Sequence, residues 1–164
     1  MVRSYELRDG ELELQFGGAV ATDPASPARL TYHFTMKCNG ATAGSIRFRD
    51  WSNEDIDLYA GNFGYNVDAR YQGRGFAERA CRLLLPLARA CGFEQIWITC
   101  DPNNYASRRT CERLGAELVE IIDLPEDNEM YLDGERQKCR YRLRLDSVFD
   151  TRLCSRSPMA YTES

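Results

Sequence analysis

A glycine-containing turn joins a predicted strand to an apolar helix at Tyr65-Asn66-Val67-Asp68-Ala69-Arg70-Tyr71-Gln72-Gly73-Arg74-Gly75-Phe76-Ala77. Gly73 and Gly75 can adopt left-handed backbone conformations, which permit a tight turn and a close approach of the backbone to a ligand. The helix that follows directs its unpaired N–H groups and the positive end of its dipole toward the turn. The pattern therefore indicates an anion-binding turn that suits a pyrophosphate.

Two other interpretations of this turn follow from the same residues. Two glycines before a helix also occur where the chain only reverses direction, which leaves a purely structural role open. Dinucleotide binding would need a third glycine at position 78, which is Glu78. It would also need a parallel strand-helix-strand unit, whereas Asn39-Gly40 predicts an antiparallel hairpin. Dinucleotide binding is therefore disfavoured.

Length and charge limit the class of protein. With 164 residues the chain is the size of one domain, and we predict a single domain over residues 1–164. A net charge of −4 argues against nucleic-acid binding through general electrostatic attraction. The first residues form no apolar leader, and no apolar run is long enough to span a membrane. We therefore expect a cytoplasmic protein with neither a membrane nor a nucleic-acid partner.

The cysteines are expected to be reduced thiols in apolar surroundings. Their number is odd and no Cys-x-x-Cys pair occurs. His33 is the only histidine and is expected at the surface of its strand, so no metal-ligand cluster is apparent and no metal cofactor is expected. The seven cysteines are Cys38, Cys81, Cys91, Cys100, Cys111, Cys139 and Cys154.

Alternating apolar residues predict the strands of the first half. A short strand around Leu12 to Phe16 is expected to end at Gly17-Gly18, and residues 21–27 have the composition of a loop. The alternation in residues 30–38, the Asn39-Gly40 turn and the return over residues 41–49 predict a hairpin. A polar loop then leads to a strand over residues 58–68, in which Gly61 and Gly64 predict a bulge or a splay.

Helical periodicity dominates the second half. Residues 76–91 form an amphipathic helix that Gly92 ends and Pro86 is expected to kink. A buried strand over residues 96–100 is followed by a helix around residues 106–114, which ends at Gly115. Residues 117–122 and 139–145 are predicted to pair as antiparallel strands across an acidic loop, and residues 146–164 are expected to form a loosely docked tail.

Two motifs carry a resemblance to the GNAT N-acetyltransferase superfamily. Gln72-Gly73-Arg74-Gly75-Phe76-Ala77 resembles its Gln/Arg-x-x-Gly-x-Gly/Ala signature, which also fits one register earlier from Arg70. Asp101 through Ser107 and Glu112 through Ala116 resemble its second conserved block, in the order and spacing of the family. The resemblance covers residues 30–145, and the core match covers residues 58–116.

The resemblance implies both a fold and a reaction. The fold is an α/β (α+β) domain with a central, mostly antiparallel twisted mixed sheet flanked by helices. The implied reaction transfers an acetyl group from acetyl-coenzyme A to the amine of a small molecule or a protein N-terminus, by direct attack in a ternary complex. Many members have two helices in the segment between Gly17 and Leu30, which is too short here. The acceptor side is therefore expected to be open or completed by a second subunit, as in a homodimer.

The resemblance also assigns residues to the donor site. The backbone N–H groups of the turn residues Gly73 through Ala77 would bind the pyrophosphate, with Gln72 beside them and Arg74 adding a charge-assisted contact. Asn104 would bond the pantetheine arm, although an asparagine there also serves as a helix N-cap. Ser107 could cap the same turn or contact the cofactor. Arg74 could equally be a solvated loop residue.

Three residues are catalytic candidates: Val67, Tyr65 and Cys111. The Val67 N–H would polarise the thioester carbonyl. Cys111 occupies the position where many family members have a tyrosine that protonates the leaving thiolate, and a buried structural cysteine is the alternative role. Tyr65 and Tyr105 are further hydroxyl donors. The missing tyrosine also leaves open a non-catalytic coenzyme A-binding sensor or regulatory domain.

Charged residues provide the remaining candidates. Glu54, Asp57 and Asp68 could remove a proton from the amine through water, or they could be solvated loop carboxylates. The arginines at positions 140, 142 and 144 lie on one face of the last predicted strand. They could attract an acidic acceptor or the 3′-phosphate of the cofactor, or they could deter pairing at the sheet edge.

Overall fold

The structure, a computed structural model, describes residues 6–21, 26 and 28–145. This part of the chain contains a larger sheet with the strand order β1-β2-β3-β4-β5 and a smaller one with the order β6-β8-β7. The strands are β1 Arg8–Asp9, β2 Leu12–Ala21, β3 Leu30–Cys38, β4 Ala41–Arg49, β5 Phe63–Val67, β6 Gln95–Cys100, β7 Glu117–Asp123 and β8 Gln137–Arg144. The helices are α1 Phe76–Ala90, α2 Tyr105–Leu114 and α3 Glu129–Leu132. Every strand pair in these ranges is antiparallel.

The hairpin of β3 and β4 confirms the prediction from Asn39-Gly40. Both turn residues have positive φ, +48° at Asn39 and +87° at Gly40, as a two-residue hairpin turn requires. The apolar side chains of β3 and β4 alternate into the core, whereas Ser45 and Arg47 point to the opposite face. The hairpin thus forms the centre of the larger sheet and gives it one apolar face.

The first long strand does not end at Gly17-Gly18 as predicted. β2 continues to Ala21, and its register with β3 shifts by one residue between Phe16 and Gly18. The extra residue, Gly17, is accommodated as a β-bulge, which glycine favours because it lacks a side chain. The two glycines therefore bend the strand instead of ending it.

The strand predicted over residues 58–68 is shorter than expected. Ile56–Ala60 is a single π-helical turn, and β5 begins only at Phe63. Asn53 Oδ1 accepts a hydrogen bond from the Ile56 N–H at 2.9 Å, and the Thr99 hydroxyl donates to the Tyr59 carbonyl at 2.6 Å. These contacts hold the residues before Gly61 in a helical turn against β6, so the first part of the prediction is wrong.

Both long helices begin and end close to the predicted residues. Gly92 follows α1 and Gly115 ends α2, with φ of +94° and +84°. Helix α1 is continuous across Pro86, and the predicted bend at that residue stays a prediction. The α1 side chains Phe76, Cys81 and Leu84 belong to one hydrophobic core that includes residues of both sheets.

The final antiparallel pair is also confirmed, as β7 and β8. The acidic loop between them contains the short helix α3. The predicted α/β (α+β) fold, a mostly antiparallel sheet flanked by helices, is confirmed, with β5 and β6 assigned to two separate sheets. The predicted tail, residues 146–164, and most of the predicted loop at residues 21–27 lie outside the described residues.

The cysteines in the described residues are all free. Cys38, Cys81, Cys100, Cys111 and Cys139 are buried, and Cys91 is half-buried. Cys154 lies outside the described residues. Within the described residues, no helix is both long and apolar enough to cross a membrane. The same ranges contain no group of three or more potential metal-ligating side chains.

Gly44 connects the stability of the larger sheet to the position of β5. A Cβ at Gly44 would lie 3.0 Å from the Val67 Cα and would overlap the Asn66 carbonyl oxygen. We expect Gly44→Ala to lower the free energy of unfolding by about 3 kcal/mol or more, because the backbone of β5 must move. Gly40→Ala is the control, since a Cβ at Gly40 would meet nothing within 4 Å. This substitution should lower the free energy of unfolding only by the backbone strain, about 1–2 kcal/mol. Urea unfolding of both variants measures the difference, and equal losses would contradict the assigned clash.

Candidate functional site

A gap opens between β5 and β6, where the two sheets separate. At its closed end the Asn62 N–H donates to the Trp97 carbonyl at 2.7 Å, and the Trp97 N–H donates to Asn62 Oδ1 at 2.8 Å. Asn62 is fully buried, and its amide lies 3.2 Å from the Trp51 carbonyl, to which it donates. Beyond Asn62, no hydrogen bond joins β5 to β6 in the described residues. Asn62 therefore holds the sheets together at one end and lets them diverge at the other.

The backbone of β5 presents unpaired groups to this gap. The Arg49 N–H donates to the Asn62 carbonyl and the Asp68 N–H donates to the Ala43 carbonyl, each at 2.8 Å. Because bonded and non-bonded positions alternate along an antiparallel pair, the N–H groups of Tyr65 and Val67 face away from β4. The Val67 N–H, the predicted carbonyl-polarising donor, is thus directed toward the gap.

The glycine turn leads from the open end of β5 to α1. Gly73 and Gly75 have φ of +82° and +71°, and a Cβ at either position would meet nothing within 4 Å. Glycine is needed there for its conformation, and the space above the turn is open. In the described residues, no backbone or side-chain acceptor bonds the N–H groups from Gly73 to Glu78. The turn thus offers a set of free donors at the positive end of α1.

The side chains around the turn have separate roles. Gln72 donates its amide N–H to the Val67 carbonyl at 3.1 Å, which ties the turn to the end of β5. The exposed Arg74 places its guanidinium 5.4 Å from the centre of the Tyr71 ring and 4.0 Å from Cys38 Sγ. Gln72 therefore holds the turn against β5. The Arg74 guanidinium makes only weak contacts and is free to rotate toward an anion.

Tyr65, Ser107 and Cys111 meet at the floor of the gap. The Tyr65 hydroxyl lies 2.8 Å from the Ser107 hydroxyl and 4.0 Å from Cys111 Sγ. Burial raises the pKa of Tyr65 well above its usual value, so its hydroxyl remains protonated at neutral pH. Burial likewise raises the pKa of Cys111 to about 12, which makes its thiol a poor nucleophile. The structure thus brings together the two catalytic candidates that would act through their side chains, Tyr65 and Cys111.

Asn104 caps α2 as the alternative interpretation predicted. Its side-chain oxygen accepts a hydrogen bond from the Ser107 N–H at 3.1 Å. The capping bond uses the oxygen of the amide group only, and its NH₂ group has no partner in the described residues. Asn104 is exposed and lines the gap, so it can cap the helix and donate to a ligand at once.

A cavity of about 820 Å³ continues from the gap to the far face of the larger sheet. Tyr65, Asn104 and Ser107 line it, while Cys111 is fully buried behind them. The other lining residues come from β4, the π-helical turn and the residue before it, the start of β5, β6 and the residue after it, the loop before β8, and β8 itself. The charged ones among them are Arg47, Arg49, Asp55, Asp101, Asp127, Glu129, Glu135 and Lys138.

The carboxylates chosen from the sequence are not those that line the cavity. Glu54, Asp57 and Asp68 are absent from its walls. Tyr105 is 68% exposed and also lies outside it. The cavity carboxylates Asp127 and Glu129 come from the loop between β7 and β8, whose position depends on tertiary folding. In the sequence, only the acidic composition of this loop pointed to these two carboxylates.

The arginine ladder of β8 is mostly neutralised. Arg140 is buried, forms an ion pair with Glu120 and stacks 4.3 Å from the Trp97 ring centre. Arg142 forms an ion pair with Glu117 at 2.9 Å. These contacts favour a packing role for both residues. β8 is the central strand of its sheet, so the predicted alternative of deterring pairing at a sheet edge is wrong. His33 is exposed on β3, as predicted.

The sequence matches a known protein family, and the fold is similar to solved structures. Residues 8–117 match the acetyltransferase (GNAT) domain family. No curated protein sequence matches the chain. The structure is similar to the acetyltransferase from Salmonella typhimurium that modifies the N-terminal serine of the 50S ribosomal subunit protein L7/L12. That pair has 22% identity over 71% of this chain and 64% of the other, with a TM-score of 0.56.

A second similar structure is the microcin C7 self-immunity acetyltransferase in complex with acetyl-CoA and AMP. Its identity is 22% over 70% of this chain and 61% of the other, with a TM-score of 0.55. The chain thus spans less than two thirds of either protein. At these identities the likeness concerns the fold alone.

Proposed function

The chain belongs to the GNAT acetyltransferase family, and from this premise we propose that it transfers an acetyl group from acetyl-coenzyme A to an amine. The proposal rests on one observation: the free N–H groups of Gly73 to Glu78 lie next to the edge of β5 that does not pair with β4. The acceptor would be a small molecule or a protein N-terminus, and attack would be direct, within a ternary complex.

The turn would hold the pyrophosphate of the donor. Its N–H groups have no other acceptor in the described residues, and the open space above Gly73 and Gly75 admits phosphate oxygens. Arg74 could reach the same anion after leaving the Tyr71 ring. Next to the turn, the edge of β5 offers backbone groups to an extended pantetheine arm, and the Asn104 NH₂ group offers a donor from the other wall.

The Val67 N–H would stabilise the developing charge on the thioester oxygen. It lies on β5 and faces the gap, so its direction is fixed by the sheet before any ligand arrives. A donor fixed in this way contributes about 3 kcal/mol to transition-state stabilisation in comparable oxyanion sites. The bound thioester supplies an activated acyl carbon that an amine can attack.

We assign protonation of the leaving thiolate to Tyr65. Tyr65 lines the cavity, and its hydroxyl lies 2.8 Å from the Ser107 hydroxyl, which can orient it. Burial raises the pKa of Tyr65, so the phenol is protonated at neutral pH, as a proton donor must be. After giving its proton to the thiolate, the tyrosinate would regain one from solvent. Cys111 is fully buried and its thiol does not line the cavity, which supports a packing role for that residue.

The amine would lose its proton to a carboxylate through water. Asp55, Asp127 and Glu129 line the acceptor side of the cavity and form no ion pair in the described residues. They replace Glu54, Asp57 and Asp68 as the candidates for this role, because the latter three do not reach the cavity. The free buried thiols of the described residues support a reducing, cytoplasmic location.

A coenzyme A-binding sensor without turnover is the second candidate function. This candidate is favoured because Cys111 does not line the cavity. By the family resemblance, Cys111 occupies the position of the tyrosine that protonates the leaving thiolate in many members. Completion of the acceptor side by a second copy of the chain also remains a proposal, since it rests on the short segment between β2 and β3.

Transfer of isotopically labelled acetyl groups tests the proposed function. The protein is incubated with ¹³C-acetyl-coenzyme A and panels of amino acids, polyamines and short peptides, and the products are read by mass spectrometry. We expect at least one labelled N-acetyl product that requires the protein. Binding of acetyl-coenzyme A with no labelled product in any panel would favour the sensor. Thiol-release assays are avoided, because the protein contributes seven cysteines of its own.

A further inference from the structure

Two arginines of β4, Arg47 and Arg49, lie on the cavity wall without a carboxylate partner. Both residues line the cavity, and two-residue spacing places them on the same face of the strand. In the described residues neither forms an ion pair. The Arg49 guanidinium is half-buried and donates a hydrogen bond to the Gly61 carbonyl at 3.0 Å. Burial, with a further contribution from the charge of Arg47, lowers the pKa of Arg49 to about 10.

Gly64 makes room for one of these guanidinium groups. It is the register partner of Arg47, and a Cβ at Gly64 would lie 2.9 Å from Arg47 Nε and 3.0 Å from its Cζ. The guanidinium therefore rests flat on the backbone of β5 at a position without a side chain. The like charges of Arg47 and Arg49 on one cavity wall repel each other, and an anion bound between them would relieve that repulsion.

The location separates this pair from the donor site. Strand alternation puts Arg47 and Gly64 on one face of the sheet and Ile46 and Tyr65 on the other. Helix α1, with the glycine turn at its start, packs on the Ile46 face. The arginines therefore lie across the gap from the turn, on the side from which an acceptor would approach.

The opposite wall of the cavity carries negative charge. Asp127 and Glu129 line it from the loop between β7 and β8, and neither forms an ion pair in the described residues. Glu135, by contrast, is neutralised by Lys138 at 2.6 Å. The cavity is thus lined by cationic residues of β4 and by carboxylates of the loop before β8.

We propose that Arg47 and Arg49 bind an anionic oxygen group of the acceptor, so that the substrate is an amine that also carries a carboxylate or a phosphate. The proposal rests on the proposed acetyl transfer for its choice of an amine. The carboxylates of the opposite wall attract the ammonium end, while the two guanidinium groups orient the anionic end. Arg47 and Arg49 are thereby specificity-determining residues and take no part in the bond-forming step.

A binding panel tests this assignment directly. Glycine, β-alanine, 4-aminobutyrate and 6-aminohexanoate are each titrated against their carboxamides, with aminoalkyl phosphonates of matching length as a third series. Calorimetry on the protein saturated with coenzyme A reports the affinities. We expect at least one anionic amine to bind about 10-fold more tightly than its amide, since charge-assisted hydrogen bonds are roughly twice as strong as neutral ones. The chain length that binds best measures the distance from arginine to amine, and the phosphonates distinguish a phosphate from a carboxylate site.

Three variants identify the residues responsible. Arg47→Gln should reduce the preference to less than about 3-fold, because one of the two charged donors is lost. Gly64→Ala should reduce it as well, because the new Cβ displaces the Arg47 side chain while the net charge is kept. Arg8→Gln removes an exposed arginine on β1, at the far edge of the larger sheet, and should leave the preference unchanged.

The outcomes separate this inference from the proposed function. Failure of coenzyme A to bind would refute the donor site, and the panel is then run on the unliganded protein, for which the same preference is expected. Equal affinity for amines and their amides would overturn the anion site, as would no binding of any anionic amine. A preference that survives both Arg47→Gln and Gly64→Ala would also overturn it.

Discussion

Tyr65→Phe is expected to lower kcat for acetyl transfer by about 100-fold or more, while the KM for acetyl-coenzyme A changes little. A positioned general acid contributes roughly 10²–10⁴-fold to such reactions, and the variant removes only the hydroxyl. The loss of the 2.8 Å contact with Ser107 should cost about 1 kcal/mol of stability. Steady-state kinetics with mass-spectrometric detection, beside thermal unfolding, measures both effects.

Two control variants define the role of Tyr65. Tyr105→Phe removes the other hydroxyl considered from the sequence, but that residue is exposed outside the cavity, so no change in rate is expected. Cys111→Ala should retain most of the activity, because the buried thiol has no access to the cavity. Loss of turnover in Cys111→Ala, with retention in Tyr65→Phe, would reverse the assignment of the acid. An unaltered rate in both variants would show that the thiolate leaves without protein assistance.

Gly75→Glu is expected to weaken the binding of acetyl-coenzyme A by at least about 100-fold. The substitution places a carboxylate beside the N–H groups that would hold the pyrophosphate. One pair of like charges 4 Å apart near a protein surface costs about 4 kcal/mol, which exceeds a 100-fold change in affinity. Gly75 has φ of +71°, so any side chain there also strains the backbone.

Gly75→Ala separates the charge from the backbone strain. Both variants adopt an unfavourable left-handed conformation, which costs about 1–2 kcal/mol, but only the glutamate repels the ligand. Calorimetry should therefore show a small loss for the alanine variant and a large one for the glutamate variant. Similar affinities for the two variants would contradict anion binding at the turn. Gly92→Glu, at the other end of α1, serves as a charge control in open space.

Local signals in the sequence were sufficient for most elements of the fold. Asn39-Gly40 supplies the positive φ values that the hairpin turn needs, and Gly92 and Gly115 end their helices for the same reason. Each signal acts through the conformational preference of one or two residues, and the tertiary contacts at these positions are compatible with that preference. The hairpin, both long helices and the last antiparallel pair were therefore predicted correctly.

The first part of the strand predicted over residues 58–68 was wrong for a tertiary reason. A short apolar run is compatible with a strand or a helical turn, and its neighbours decide between them. Here the Thr99 hydroxyl donates to the Tyr59 carbonyl, and the Asn53 side chain caps Ile56. The Asn53 cap is a local signal, three residues before Ile56, whereas the Thr99 contact comes from a distant strand, so apolar periodicity alone could not identify the turn.

The candidate site likewise divides into residues predicted from local sequence signals and residues whose role depends on tertiary contacts. The glycine turn and Asn104 were predicted because their roles depend on backbone groups within a few residues. Asn62, Arg47 and Glu129 were not, because a residue's role at the gap depends on which strands diverge and which loop folds over them. Opposite charges on two walls of one cavity are visible only after β4 and the loop before β8 have been brought together.

Equilibrium titration of the unmodified protein with acetyl-coenzyme A, with NAD and ATP in parallel, tests the central claim most directly. The family membership and the free N–H groups of the turn predict saturable binding of acetyl-coenzyme A at one site per chain, with much weaker binding of the other two. Absence of acetyl-coenzyme A binding would contradict the account, because the turn from Gln72 to Ala77 would then serve only to reverse the chain before α1.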